Sequence, residues 1–119
     1  MKKLKFTIPI YDWDVVFVEN IGQGEFPILK NELKKYKVHD IDYIQESIED
    51  GDKDFGTHLF NTYKRHSVII LLNNVSKKSR RNVLAHEKRH LEDRILNHLS
   101  IDDIEAAAYL SGYIAEKLY

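Results

Sequence analysis

The spacing of apolar residues changes period several times along the chain, and each change predicts an element. Leu4 to Ile10 alternates between apolar and polar residues and predicts a strand ending near Pro9. Trp13 to Glu19 predicts a second strand, with the apolar core Val15-Val16-Phe17-Val18 set between Asp14 and Asn20. Gly22 and Gly24 mark a loop. Pro27 then suits a first helical turn, and Ile28, Leu29, Leu33 and Tyr36 follow at helical spacing. Asp40 to Ile48 predicts another short helix, burying Ile41, Tyr43, Ile44 and Ile48. The acidic run Glu49 to Asp54 contains Gly51 and reads as a solvated turn. Asp50, Asp52 and Asp54 lack the rest of an EF-hand loop, so a calcium site is not expected there.

Two further strands, Gly56 to Tyr63 and Ser67 to Leu72, are separated by Lys64-Arg65-His66, a hairpin-length connection. Val68-Ile69-Ile70-Leu71-Leu72 is continuously apolar, as a strand covered on both faces must be. Gly56 to Tyr63 is mixed and reads as an edge. Helical spacing returns from Ser79 to Leu96, with Ser76 or Ser79 available as N-cap. Lys77, Lys78, Arg80 and Arg81 at its start read as a solvated basic face. A last helix is expected to open at Ser100, with Asp103 in the capping-box position, and to run to about Leu118. The sum is a single α+β domain: a small mixed or antiparallel sheet packed on the Ser79–Leu96 helix and the C-terminal helix.

The totals narrow the class. A 119-residue chain can bury one modest core. Eighteen basic against nineteen acidic residues give a net charge of −1, without the basic excess that a nucleic-acid groove needs. There is no cysteine, which rules out disulfides and thiolate metal sites. Lys2-Lys3-Leu4-Lys5 imitates a signal n-region, but Pro9, Asp12 and Asp14 break the run behind it. No stretch approaches the roughly 20 apolar residues of a membrane span. A cytoplasmic protein with neither nucleic-acid nor membrane partner is the expectation.

The chemistry is concentrated in His86-Glu87-Lys88-Arg89-His90, an H-E-x-x-H inside the helix that follows the most apolar strand. Residues four apart share a helix face, so both imidazoles can turn to one metal ion. Glu87, one step round, can take a proton from a metal-bound water. A metal needs a third protein ligand. His98 lies about 12 Å further along a straight helix. Asp93 shares the ligand stripe but is short, which suits it to supporting a ligand. Asp102 and Asp103 suit a helix start. Glu105, one turn into the last helix, is the best candidate if the two helices form a hairpin, and Ala108 and Gly112 would let them approach. Tyr109, Tyr113 and His58 are candidate partners for a developing oxyanion.

Leu84-Ala85-His86-Glu87-x-x-His90, followed by Glu105-x-x-Ala108-Tyr109-Leu110-x-Gly112-Tyr113, resembles a group of very small zincin-like proteins of bacteriophages and other mobile elements. More broadly it resembles the gluzincin metallopeptidases, including the repressor-cleaving immunity-type peptidases. The resemblance covers about the last third of the chain. It implies a minimal zincin-like fold and one Zn2+ per chain held by His86, His90 and Glu105, with Glu87 as general base and a peptide or protein as substrate. It also implies that an edge strand receives that substrate; Gly56, Thr57, His58, Leu59 and Phe60 are its counterpart here. Two features depart from the pattern: only 15 positions separate the second histidine from the glutamate (105 − 90), and Lys88 and Arg89 are charged. A rival expectation keeps the fold, or the zinc, in a protein that binds a partner without cleaving it.

Overall fold

Strand alternation sends Val15 and Phe17 to one side of Trp13–Ile21 and Val16 and Val18 to the other, and all four are buried. A strand covered on both faces requires a layer of helix on each side. The computed structural model, which describes residues 1–22, 24–38, 41–51 and 53–119, has that arrangement. The elements in chain order are β1 (Lys2–Ile8), β2 (Trp13–Ile21), α1 (Phe26–Tyr36), α2 (Asp42–Asp50), β3 (Gly56–Asn61), β4 (His66–Leu72), α3 (Lys77–His98) and α4 (Ile104–Leu118). The sheet order is β1-β2-β4-β3, with β2 and β4 parallel and both outer pairs antiparallel.

The sheet divides the protein into two cores. On one face Ile8, Trp13, Val15, Phe17, Ile69 and Leu71 meet Leu84, Leu91 and Ile95 of α3 and Leu110, Ile114 and Leu118 of α4. On the other, Val16, Val18, Leu59, Val68, Ile70 and Leu72 meet Phe26, Leu29 and Leu33 of α1 and Ile44 of α2. Burying side chains of this kind is worth roughly 1.5–3 kcal/mol each. Along the sheet, α3 lies over β3 and β4 while α4 lies over β1. No helix among the described residues is long and apolar enough to cross a membrane.

The α+β class and all eight elements agree with the sequence reading; several boundaries and faces do not. β1 ends at Ile8, leaving Ile10 outside it and 64% exposed. α2 begins at Asp42, and Asp40 and Asp52 lie outside the described residues. Tyr43, expected on the buried side of α2, is exposed, because Ile44 makes the buried stripe of that helix; on α1 Ile28 is exposed beside the buried stripe of Phe26, Leu29 and Leu33. Ser76 caps α3, its hydroxyl accepting from the Ser79 N–H at 3.2 Å. Ser100 is not an N-cap. It takes a left-handed conformation (φ 54) that ends α3. Its N–H donates to the Asn97 carbonyl (3.2 Å), and the Ile101 N–H donates to that of Leu96 (2.8 Å), a Schellman pattern. Asp103 caps α4 instead, accepting from the Glu105 N–H at 2.8 Å.

Candidate functional site

α3 runs unbroken through His86, Glu87 and His90, so the three side chains keep the spacing that the helix imposes. His86 and His90 are exposed, with Nε2 atoms 3.0 Å apart and rings edge to face. Without a cation, one ring must carry the proton that bridges those nitrogens. Two imidazole nitrogens bound to one zinc at about 2.0–2.1 Å each stand about 3 Å apart or slightly more, so the pair fits one ion. Glu87 is buried at 6% exposure and completes a group whose donor atoms all lie within 4.8 Å of one another. Burial raises its carboxyl pKa above the ordinary value, opposed by the neighbouring His90 and His86.

The group opens on a groove between α3 and β3. One stretch, about 440 Å³, is lined by Gly56, His58 and Phe60 of β3 and by Glu87, His90, Asp93, Arg94 and Asn97 of α3. A second, about 590 Å³, extends the other way past His86, Asn82 and Lys53. Both share Phe55, Gly56 and Glu87, which places Glu87 at their junction. β3 is the sheet edge, and among the described residues no strand covers its outer side. The Leu72 N–H donates to the Phe55 carbonyl at 3.1 Å. Counting on from that bond, antiparallel alternation turns the N–H and C=O of Gly56, His58 and Phe60 away from β4, toward the open side. Gly56 is needed for this approach: a Cβ there would stand 2.5 Å from Val83 Cγ1 and 2.8 Å from Leu71 Cδ2.

Three strands fix the His58 ring. Trp13 Nε1–H donates to Ser67 Oγ at 3.0 Å, and His58 Nε2 lies 2.8 Å from the same oxygen. With Oγ already accepting from the indole, the serine hydroxyl is assigned as donor to Nε2, which places the imidazole proton on Nδ1. Among the described residues Nδ1 has no hydrogen-bond partner and is not a buried orphan, so it reaches the cleft that the ring lines. Burial, reinforced by His90 and Arg94, lowers the His58 pKa to about 3, and the ring is neutral at pH 7.

The remaining expected residues divide by element. Asp93 stands on the cleft wall, 3.2 Å from Arg89. Thr57 and Leu59 are buried beneath β3. Glu105 does not join the histidines: it is exposed and outside the group. The reason is the flank on which α4 packs. Lys88 pairs with Glu92 and donates to Ser111 Oγ of α4 at 2.9 Å. Lys88 is two residues from each histidine, about 160° round the helix. α4 therefore packs on the flank of α3 opposite the histidines. Tyr113 goes with it, donating to the Thr7 carbonyl at 3.1 Å, and Tyr109 stacks on Tyr113. Neither tyrosine faces the groove. His98 packs edge-on against Trp13, and Asp102 is exposed.

Two groove residues and one buried support went unread in the sequence. Arg94 and Asn97 lie four and seven positions beyond His90, on its helical stripe, and that spacing was the available signal. Ser67 carried none, since a serine in an apolar strand does not announce its partners. Comparison of this chain with protein families, with curated proteins and with solved structures returns no match.

Proposed function

We propose that this chain is a zinc-dependent hydrolase of peptide bonds, of the H-E-x-x-H kind that its motif resembles but without the helix-borne glutamate ligand of the gluzincins, working in the cytoplasm on an extended peptide or protein segment. The observation that carries the reading is the His86-Glu87-His90 group at the middle of a groove bounded by an open strand edge. His86 and His90 would hold the metal through Nε2. A bound zinc supplies Lewis acidity and brings the pKa of its water toward about 7.

The protein's own contributions follow from placement. Glu87, drawn into the wall where burial raises its pKa above the ordinary carboxyl value, would be the base that accepts the water's proton and returns it to the leaving amine. Gly56, His58 and Phe60 offer main-chain donors and acceptors at strand spacing, a mode that orders a peptide with little regard to its sequence. Glu105 has no part in this arrangement, which leaves the metal with two histidines and positions for water.

A second reading rests on that same shortage. Glu87 is the third member of the metal-capable group, so it can serve as ligand in place of Glu105, and the protein is then a metal-stabilised peptide-binding module with no free base. Zinc content and casein cleavage, measured together, separate the two. On the hydrolase reading Glu87→Gln keeps near one zinc per chain and loses cleavage, and Glu105→Ala changes neither. On the binding reading Glu87→Gln loses zinc and wild type never cleaves. A wild-type chain without zinc after metal supplementation would end both.

A further inference from the structure

The cleft beyond His90 has a charge asymmetry that the proposed chemistry does not use. Of the four arginines other than Arg94, three close on protein oxygens, Arg80 on Glu19, Arg89 on Asp93 and Arg65 on the Tyr11 carbonyl, while Arg81 is exposed at the start of α3 and lines neither stretch of the groove. Arg94 lines the groove without such a closure. Among the described residues no carboxylate lies within ion-pair distance of it, and its guanidinium carbon sits 3.8 Å from the centre of the Phe60 ring. Stacking engages the face of the guanidinium and leaves its N–H edges free, so Phe60 holds a planar fork in place without consuming its donors. His58 presents Nδ1–H to the same cleft, and Asn97 lines it as well. Glu87 and Asp93 also line this stretch, the first at the junction of the groove and the second held by Arg89, and the guanidinium fork beside the His58 N–H is complementary to a planar anion.

We propose that Arg94, seated on Phe60 and assisted by the His58 Nδ1–H, anchors a carboxylate of the bound peptide: an aspartate or glutamate side chain, or a free C-terminus. The inference rests on the groove being the peptide site, and it gives that site a substrate class. Arg94 is one helical turn past His90, about 6 Å along the axis. An extended chain covers that distance in about two residues. The anchored carboxylate therefore belongs within about two positions of the residue lying over the histidine pair. The source of the carboxylate reports chain direction. β3 runs the same way as α3, from Gly56 beside Val83 and Glu87 to Phe60 beside Arg94. A peptide antiparallel to β3 brings an acidic side chain N-terminal of the bond to Arg94. A parallel one brings the C-terminal side, where a terminal carboxylate can lie.

The test is peptide binding to the full chain, zinc-loaded and EDTA-treated, followed by fluorescence anisotropy. The probes are labelled alanine pentapeptides with a central Glu and amidated end, a central Gln and amidated end, or all alanine with a free C-terminus. Affinity for one of the two carboxylate peptides is expected to exceed that for the Gln peptide by about tenfold, the scale of a charge-assisted hydrogen bond. Arg94→Gln should erase that preference with or without zinc and leave the Gln peptide unaffected. Arg94→Lys should restore only part of it, since the charge remains without the fork. Equal binding of all three peptides, a preference that survives Arg94→Gln, or no binding at all would overturn the proposal. A preference that needs zinc and ignores Arg94→Gln would place the carboxylate on the metal and also overturn it. If the chain holds no zinc and cleaves nothing, the hydrolase reading falls while the Arg94-dependent difference remains measurable.

Discussion

His58 makes a sharp, quantitative prediction because its ring is held neutral inside the wall. The folded pKa is about 3 against an ordinary value of 6.5. The folded state therefore refuses a proton that the unfolded chain accepts once pH falls below 6.5. The sign follows from linkage: the stability due to keeping the ring neutral is full above the unfolded pKa and is lost as pH falls toward the folded one. By pH 5 about 1.5 pH units of that gap have been crossed, so about 2 kcal/mol of that stability has been lost at 1.36 kcal/mol per unit. The perturbation is His58→Gln, which keeps a polar side chain opposite Ser67 and removes the titration. Urea unfolding of wild type and variant at pH 7, 6 and 5, with EDTA present, isolates the effect. The variant should be less stable at pH 7, where it loses the Ser67 bond, and that deficit should shrink by about 2 kcal/mol on going to pH 5. Parallel stability profiles across this range would show that His58 takes up its proton as readily folded as unfolded, and would refute the buried, neutral assignment.

Other residues of the wall and its supports give direct tests. Gly56→Ala should destabilise by about 1–3 kcal/mol, since the new methyl meets Val83 and Leu71 on a packed interface; the midpoint of chemical denaturation reads it. Ser67→Ala should cost about 1–3 kcal/mol by stranding the Trp13 indole N–H, and should move the His58 tautomer toward Nε2–H in nitrogen-15 spectra of the ring. Asp103→Ala should lower stability by about 1 kcal/mol through loss of the α4 cap, with zinc content unchanged. Zinc at about 100 times its Kd should stabilise wild type by about 2.7 kcal/mol. His86→Ala and His90→Ala should each abolish that gain in a thermal melt.

The elements were legible because burial pattern and element type coincide along most of this chain. The unbroken apolar run of β4 announced a strand covered twice, and the mixed β3 announced an edge; both stand where expected. The H-E-x-x-H geometry was legible for a stronger reason. It lies within one helix, so helical spacing alone brings His86, Glu87 and His90 together. Ser100 and Asp103 were harder, because Ser and Asp suit both ends of a tight connection, and only the left-handed backbone at Ser100 separates the end of α3 from the start of α4. Tyr43 misled because it adjoins Ile44, and the short α2 turns only one of the two into the core.

Glu105 shows where sequence reasoning must fail, since its position depends on which flank of α3 the last helix chooses. Two demands compete for α4. A helix hairpin closing over the histidines would serve one ligand. Against it stands the apolar surface of Ile8, Trp13, Val15 and Phe17 at the β1 and β2 side of the sheet, which α3 alone does not cover. Leu110, Ile114 and Leu118 bury themselves there, worth roughly 5–9 kcal/mol in total at the usual figure for such side chains. No single exposed carboxylate matches that sum, so the core decides and α4 crosses to the β1 side, with Lys88, Glu92 and Ser111 closing the seam. The consequence reaches the site. With α4 drawn away, the groove along β3 stays open from Lys53 to Asn97. The packing that withholds Glu105 from the histidines is also what leaves room beside them for an extended chain.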